Sequence, residues 1–262
     1  MTDDYETLDV SSEENVLKIS LDRPEVHNAM NESLMKELID CFQEIREDDD
    51  IRAVVLTGKG KSFCAGADLN WMKEMVDYSK EENIESSRTL VELYDSIYSC
   101  PKPVLGRING PAFGGGLGLI ATCDVNIVVS DVKFGFSEAN IGLIPSVIST
   151  YVGKRIGGAK MRHLFITGER FDSNYGKEIG LFDFVVPSNE LDPTIDEYIE
   201  KVKSSSPRAV WEVKNLIEKY DHLNEKDYKD FTVEKISELR VSEEGQEGIN
   251  AFLEKREPAW RE

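Results

Sequence analysis

The stretch NGPAFGGGLG, residues 109–118, joins a predicted strand to a predicted helix through a run of glycines. The strand is predicted over residues 104–108, directly after Pro101-Lys102-Pro103. Consecutive glycines at a helix start leave backbone N–H groups unpaired, and the helix dipole adds positive potential there. Such a place can hold an anion or a developing oxyanion. The glycines could also serve only the close packing of helix on strand.

The chain on both sides of this stretch alternates between strand and helix patterns. Residues 16–21, 53–56 and 125–129 are predicted as strands, and the wholly apolar second one is typical of a strand buried on both faces. Asn31 is a natural N-cap for a helix to about residue 47, and a further helix is predicted over about residues 82–98. The alternation predicts an α/β fold with a parallel sheet and right-handed crossovers.

Helical patterns dominate after about residue 141. The predicted helices cover residues 159–166, 173–179, 193–203, 207–220, 226–240 and 243–255. Asp192 is a natural N-cap for the third of these, with Pro193 as its first residue. We therefore predict an α/β core over residues 1–190 and a helical region over residues 191–262. The helical region is too short to bury its own apolar faces, so it should pack on the core or on a neighbouring subunit.

Composition and charge exclude several classes of protein. The 262 residues carry a formal net charge of −19, which disfavours binding to nucleic acid or to an anionic membrane. The sequence has no apolar run of the roughly 18–20 residues that span a membrane, and its acidic first ten residues lack a signal-peptide pattern. The four cysteines lie far apart, which favours buried thiols over a disulfide frame or a metal site. We expect a cytoplasmic enzyme.

A second candidate segment is SFCAGADL, residues 62–69, which follows a buried strand. Loops at the carboxyl ends of strands commonly form binding sites. The small residues Ala65, Gly66 and Ala67 would let the backbone approach a ligand closely. The alternative is an ordinary tight turn into a helix that Asp68 caps.

A third candidate is Glu138, in the apolar, glycine-containing stretch FGFSEANIGLIP of residues 134–145. Partial burial would raise the pKa of this carboxyl and suit it to proton transfer, although a capping or ion-paired role is the alternative. Residues 116–121, GLGLIA, formally match a dinucleotide-binding fingerprint. Their place in mid-chain argues against that function. Of the three histidines, His27 is the one we expect to touch a ligand.

Together, in this order and spacing, the three segments resemble the crotonase (enoyl-CoA hydratase/isomerase) superfamily, nearly end to end from Arg23 to Arg256. The resemblance implies a spiral of repeated ββα units with a helical C-terminal trimerisation region. It also implies a homotrimer or a dimer of trimers. The substrate would be an acyl-CoA thioester, and no separate cofactor or metal would be needed.

The resemblance further implies roles for single residues. The N–H groups of Ala67 and Gly115 would form an oxyanion hole, and Glu138 would move a proton. The residues implied to bind the substrate or its CoA part are Glu25, Val26, His27, Ala29, Ala65, Ala67, Asp68, Leu69, Asn70, Gly115, Phe252 and Lys255. The last two would come from a neighbouring subunit. Arg23, Lys59 and Lys61 are candidate partners for the CoA phosphates.

The sequence departs from the common hydratase pattern at Gly118, where typical hydratases carry a second Glu. A single carboxylate suits a Δ3,Δ2-enoyl-CoA isomerase, and Gly118 could leave room for a bulky or anionic acyl group. Residues 69–72, 115–118, 137–138, 141–145, 244–248 and 258–261 instead resemble the methylglutaconyl-CoA hydratase branch of leucine breakdown, where Gly can stand at this place. We predict a short-chain enoyl-CoA hydratase, with 3-methylglutaconyl-CoA as leading substrate. An RNA-binding protein is the non-enzymatic alternative, which the acidic charge opposes.

Overall fold

The computed structural model describes residues 5–261. Residues 1–4 and residue 262 lie outside the described part. The prediction that the acidic start is not a signal peptide falls partly on these residues. The strands are β1 (Leu8–Glu13), β2 (Val16–Leu21), β3 (Ala53–Gly58), β4 (Val104–Ile108), β5 (Ala112–Phe113), β6 (Val125–Val129), β7 (Lys133–Gly135), β8 (Arg170–Asp172) and β9 (Phe184–Val186). The helices are α1 (Glu32–Glu47), α2 (Leu69–Met75), α3 (Lys80–Tyr98), α4 (Gly115–Thr122), α5 (Ser149–Thr167), α6 (Ser173–Glu178), α7 (Leu191–Lys203), α8 (Pro207–His222), α9 (Glu225–Val241) and α10 (Glu243–Glu254).

Six strands form the main sheet, in the order β1-β2-β3-β4-β6-β9. All neighbours pair in parallel except β1, which pairs antiparallel with β2. The parallel sheet was predicted, but strand β1 was not, because its sequence LDVSSE is mostly polar. Strand β3 is buried along its whole length: Val54 and Leu56 join the larger core, and Val55 joins a second cluster completed by α7. The carboxyl ends of β3 and β4 therefore deliver their loops to one edge of a sheet covered on both faces.

A second sheet of three strands, in the order β5-β7-β8, holds the glycine-rich turn in place. Strand β5 pairs in parallel with β7, with Phe113 opposite Gly135. The next residue, Gly114, donates its N–H to the carbonyl of Gly135 at 3.0 Å. Gly114 has φ +48°, a conformation that glycine adopts without a side-chain penalty. The chain can thus turn sharply from β5 into α4, which begins at Gly115.

Two helix predictions are corrected by the structure. Helix α7 begins at Leu191, so Asp192 lies inside its first turn and is not the N-cap. The Asp192 carboxylate instead accepts hydrogen bonds from Arg107 Nε at 2.6 Å and Nη2 at 3.0 Å, a partner that a local pattern does not reveal. The helix expected at residues 159–166 begins much earlier, at Ser149, and bends at Gly157, where φ is +72°. The prediction that Asn31 caps α1 is confirmed, since its side chain accepts from Leu34 N–H at 3.0 Å.

The helices α8, α9 and α10 bury little of their own apolar surface. Their buried residues, among those described, are Glu212 and Ala251. Large apolar side chains that stay exposed on these helices are Trp211, Val213, Ile217, Tyr220, Val233, Ile236, Val241, Ile249, Phe252 and Leu253. Within residues 5–261, no helix combines the length and apolar character that a membrane span requires. The division at residues 190 and 191 stays a prediction.

Candidate active site

Two of the predicted segments run side by side. Cys64 and Ala112 form a parallel bridge, and Phe113 N–H donates to the carbonyl of Cys64 at 3.1 Å. Gly66 has φ +91°, and a Cβ at this position would come within 2.8 Å of Phe113 O and 3.8 Å of Gly115 N. Only a residue without a side chain allows this approach. The loop before Asp68 is therefore held against the start of helix α4.

The N–H groups of Ala67 and Gly115 are left free where these loops meet. Neighbouring N–H groups have hydrogen-bond acceptors: Met30 donates to Gly66 O at 2.7 Å, and Asp68 donates to Met30 O at 2.8 Å. For Ala67 and Gly115, the part of the chain that the structure describes supplies no hydrogen-bond acceptor. Gly115 also stands at the N-terminus of α4, where the helix dipole is positive. Two fixed donors of this kind can stabilise an oxyanion without having to reorganise.

Glu138 lies beside the same turn. It begins a short 3-10 helix, Glu138–Ile141, which two linking residues separate from the end of β7. A Cβ at Gly114 would lie 3.1 Å from Glu138 Oε1, so the carboxylate sits against the glycine turn. Its Oε2 is buried without a hydrogen-bond partner among residues 5–261. Burial raises the pKa of Glu138, while a hydrogen bond from its own N–H opposes this rise. A carboxylate in this state is suited to accept and return a proton.

The segment implied to line the CoA path is fixed by a buried amide that the sequence analysis missed. His27 and Asn28 are both left-handed, with φ of 57° and 56°. Asn28 Nδ2 donates to the carbonyls of Lys59, Ser62 and Phe63 at 2.9, 2.9 and 3.1 Å. Asparagine tolerates this backbone conformation better than most residues, which is the signal that could have identified it.

The four other residues implied near this path lie in or beside that segment. Glu25 and Val26 belong to a 3-10 turn, Pro24–Val26. Ala29 is buried, and Ala65 donates its N–H to the carbonyl of His27 at 3.0 Å. The structure therefore brings the 25–29 and 65–67 segments together.

Asp68, in contrast, is occupied by the protein itself. Its carboxylate accepts from Asn70 N–H at 2.7 Å, which caps α2, and from Arg23 Nη2 at 2.9 Å. Burial alone would raise the pKa of Asp68, but these two partners, together with a hydrogen bond from the Trp71 backbone, outweigh it and lower the pKa. The following residues, Leu69 and Asn70, are exposed at the start of α2. Asp68 therefore positions the loop while Leu69 and Asn70 remain open to a ligand.

Of the three cations suggested for the CoA phosphates, two are engaged elsewhere. Arg23 pairs with Asp68, and Lys59 pairs with Asp9 and Asp22 at 2.9 and 2.6 Å. Lys61 is exposed, and no acidic partner for it is found in the described chain. His27 Nδ1 lies 2.9 Å from Ser62 Oγ.

Gly118 is buried on α4, and the space beside it is full. A Cβ there would meet Ile148 Cγ2 and would come within 2.8 Å of two ring carbons of Tyr94. The hypothesis that Gly118 leaves room for an acyl group is therefore wrong. No local pattern indicates this contact, because Tyr94 lies on α3 and meets α4 only through tertiary packing.

Phe252 and Lys255 lie at the end of helix α10, which packs on α9. Phe252 is 83% exposed, and Lys255 is the C-cap. Within one subunit, no hydrogen bond or ion pair among residues 5–261 joins either of them to the loops that carry Ala67 and Gly115. Their contribution to a CoA site stays a prediction that requires a second subunit.

Two free backbone donors beside a half-buried carboxylate, whose Oε2 lacks a partner among the described residues, equip an enzyme to stabilise an oxyanion and transfer a proton. Residues 11–262 match the model of a family described as enoyl-CoA hydratase/isomerase. The chain belongs to this family and is an enoyl-CoA hydratase/isomerase-type enzyme acting on acyl-CoA thioesters. The predicted α/β crotonase fold, with its ββα units and C-terminal helices, is confirmed.

Similar proteins cover nearly the whole chain. The crystal structure of an enoyl-CoA hydratase from Shewanella pealeana superposes with a TM-score of 0.94 at 36% identity, over 98% of this chain and 97% of that one. The short-chain-enoyl-CoA hydratase of Clostridium acetobutylicum is 32% identical over 252 residues, 94% of each chain. The enoyl-CoA isomerase/hydratase fer4 of Mycosarcoma maydis is 32% identical over 253 residues, 93% of this chain and 91% of that protein.

Proposed function

We propose that this enzyme hydrates short 2-enoyl-CoA thioesters, with Glu138 as its single proton-transfer group. The observation that carries the proposal is the buried Glu138 Oε2, which lacks a partner among the described residues and lies beside the glycine turn. The N–H groups of Ala67 and Gly115 are the proposed oxyanion hole. A thioester carbonyl bound there would gain negative charge as an enolate forms, and one such donor is typically worth about 3 kcal/mol.

Hydration adds the oxygen of water to C3 of the enoyl group and a proton to C2. Ionised Glu138 takes a proton from the attacking water while the C2–C3 π electrons move toward the thioester oxygen. The resulting enolate is held by the two N–H donors. Protonated Glu138 then delivers its proton to C2, and the thioester carbonyl re-forms. One carboxyl group thus serves both steps, and its raised pKa brings it nearer to the pH at which it must change state.

An anionic branched substrate, 3-methylglutaconyl-CoA, is the leading candidate within this function. The support is the sequence resemblance at residues 69–72, 115–118, 137–138, 141–145, 244–248 and 258–261. This would place the enzyme in leucine breakdown, in the cytoplasm. The CoA part would lie along Glu25–Ala29 and Ala65–Asn70, with Lys61 as a free cation toward its phosphates.

A Δ3,Δ2-enoyl-CoA isomerase is the second candidate. One specific observation favours it: the space beside Gly118 holds Tyr94 and Ile148 where a hydratase of the common type has its second carboxylate. Moving a double bond requires only that one base remove a proton from C2 and return it to C4. The hydratase and isomerase share the oxyanion hole, so the two differ in whether water reaches C3.

A product screen separates these possibilities. Purified enzyme is incubated with crotonyl-CoA, 3-methylcrotonyl-CoA, 3-methylglutaconyl-CoA and a 3-enoyl-CoA. Products are separated by chromatography and identified by mass and by comparison with authentic 2-enoyl-CoA and 3-hydroxyacyl-CoA standards, because an isomer has the same mass as its substrate. Addition of water to 3-methylglutaconyl-CoA with the highest kcat/KM supports the leading proposal. Turnover of the 3-enoyl-CoA alone, without a gain of water in the others, contradicts hydration and supports the isomerase.

A further inference from the structure

Tyr94 is a buried residue beside the site that the reaction scheme leaves unused. Its side chain is fully buried on α3, and its hydroxyl donates to the carbonyl oxygen of Gly115 at 3.0 Å. A Cβ at Gly115 would come within 2.9 Å of the same hydroxyl oxygen. Tyr94 therefore touches the residue whose N–H is one of the two proposed oxyanion donors.

The Tyr94 ring is held on its other sides as well. Its ring carbons occupy the space beside Gly118, and the ring centroid of Tyr151 lies 5.6 Å away. Burial is the main reason that the pKa of Tyr94 lies well above its ordinary value, and the nearby Cys64 and Glu138 add to the rise. The phenol is therefore neutral at working pH and available as a hydrogen-bond donor.

The peptide groups on either side of Gly115 are restrained by different partners. The carbonyl of Gly114 accepts from Leu117 N–H at 2.9 Å, and the carbonyl of Gly115 accepts from Tyr94. Glycine rotates more freely than other residues, so an N–H flanked by Gly114 and Gly116 needs restraint from outside its own segment. An N–H donor whose orientation fluctuates would stabilise the oxyanion less.

We propose that Tyr94 is a positioning residue of the oxyanion hole: its hydroxyl holds the Gly115–Gly116 peptide, which directly follows the peptide that carries the Gly115 N–H, and its ring occupies the place of a second carboxylate at residue 118. The proposal rests on the proposed function, since Gly115 must be an oxyanion donor. The Tyr94 ring fits because residue 118 is a glycine. A second carboxylate at residue 118 would have no space, so Glu138 would act alone.

The test is Tyr94→Phe, which removes the hydroxyl and keeps the ring. The first readout is kcat and KM for crotonyl-CoA. The second is the absorption of bound 4-dimethylaminocinnamoyl-CoA, whose band moves to longer wavelength when hydrogen bonds draw charge onto its carbonyl oxygen. We expect kcat to fall roughly 3- to 10-fold, the size of one net hydrogen bond, with KM nearly unchanged. We also expect a smaller red shift than in the wild type.

Tyr151→Phe is the matched control, because it removes a hydroxyl from the same aromatic cluster, one that bonds to Asp95 at 2.6 Å and not to Gly115. It should leave both the red shift and kcat unchanged. Equal values in Tyr94→Phe and wild type would overturn the positioning role. A wild type without any red shift would overturn the oxyanion assignment itself, and the inference with it.

Urea unfolding of each variant checks that the fold is retained. Should Tyr94→Phe fail to fold, Gly118→Ala replaces it, because the added methyl group presses on the Tyr94 ring and leaves the hydroxyl in the protein. The same loss of kcat and red shift is then expected. An unchanged red shift in this variant would overturn the proposal.

Discussion

The carboxylate of Glu138 lies against the α-carbon of Gly114, close enough that a Cβ at residue 114 would come within 3.1 Å of Oε1. Gly114 immediately precedes the proposed oxyanion donor Gly115. The proposed proton-transfer group and the proposed site of developing negative charge are thus joined through a single glycine. A side chain at residue 114 would separate them, and its φ of +48° disfavours one.

Replacement of Glu138 by Gln should keep the fold and remove most turnover. General acid–base catalysis is typically worth about 10²–10⁴-fold, and Gln cannot carry the proton. The measurement is kcat for crotonyl-CoA hydration, with circular dichroism to check the fold. The control is Glu178→Gln, at an exposed position on α6, which should match wild type. Activity of Glu138→Gln within a few-fold of wild type would remove Glu138 from the mechanism.

The same variant should be more stable than wild type at neutral pH. Burial raises the pKa of Glu138 above its ordinary value of 4.5, so the folded state holds this proton to higher pH than the unfolded state does. Wild-type stability therefore falls as pH rises from the ordinary pKa through the folded-state pKa. Gln does not titrate, so its advantage should be present above the folded-state pKa and vanish below pH 4.5. The urea midpoints of variant and wild type are measured at about pH 4 and about pH 7.5. A difference between the two proteins that is the same at both pH values would contradict the prediction.

Comparison of Gly115→Pro with Gly115→Ala isolates the backbone donor. A Cβ here meets Met30 Cε and the Tyr94 hydroxyl, so both variants share this crowding. Proline alone also removes the N–H. We expect Gly115→Pro to lose about 10²–10³ more kcat than Gly115→Ala, provided that both remain folded by circular dichroism. Equal residual activities would exclude Gly115 from the oxyanion hole.

Gly118→Glu should destabilise the protein and should not create a better hydratase. The new side chain would meet Ile148 and Tyr94 in a filled space, and overpacking typically lowers the free energy of unfolding by about 1–3 kcal/mol, with a further penalty for burying a charge. The control is Gly158→Glu on α5, where a Cβ meets nothing within 4 Å. Urea unfolding is the measurement. A Gly118→Glu protein as stable as the control would show that Tyr94 readily moves aside.

The exposed apolar face of α8, α9 and α10 should be covered by other subunits arranged with threefold symmetry. We expect light scattering to give three or six times the subunit mass of 29.6 kDa. Lys255→Gln should then raise KM for crotonyl-CoA without a change in kcat, because Lys255 would reach the CoA of a neighbour. A monomer at micromolar concentration would contradict the arrangement.

The parts of the fold that local pattern determines were predictable from sequence. The sequence predicts strands at residues 16–21, 104–108 and 125–129 with the bounds that the structure has, because apolar residues alternate in the first and predominate in the other two. Strands β7, β8 and β9 were missed. Each has three residues, too few to show a periodicity, and each is stabilised by pairing with distant parts of the chain.

The residues of the candidate site also divide into those that a local pattern reveals and those that only tertiary contacts reveal. The glycines of residues 114–116 and the apolar surroundings of Glu138 are local signals, and they indicated the free N–H group at the start of α4 and the half-buried carboxylate. Asn28 and Tyr94 act through bonds to segments far away in the chain, on Ser62 and Gly115 for example. No periodicity or spacing encodes such partners, so their importance emerged only from the folded arrangement.

Dilution should act on this protein as a denaturant. Helices α8 to α10 bury only Glu212 and Ala251 among their described residues, and we predict that a partner surface supplies the contacts that these helices lack in a single chain. A folded state that exists by association has a stability set by subunit concentration as well as by sequence. The midpoint of thermal unfolding then depends on the concentration of subunits, because unfolding also separates them. A midpoint that rises with protein concentration is the expected signature, and a constant one would mean that each chain folds by itself.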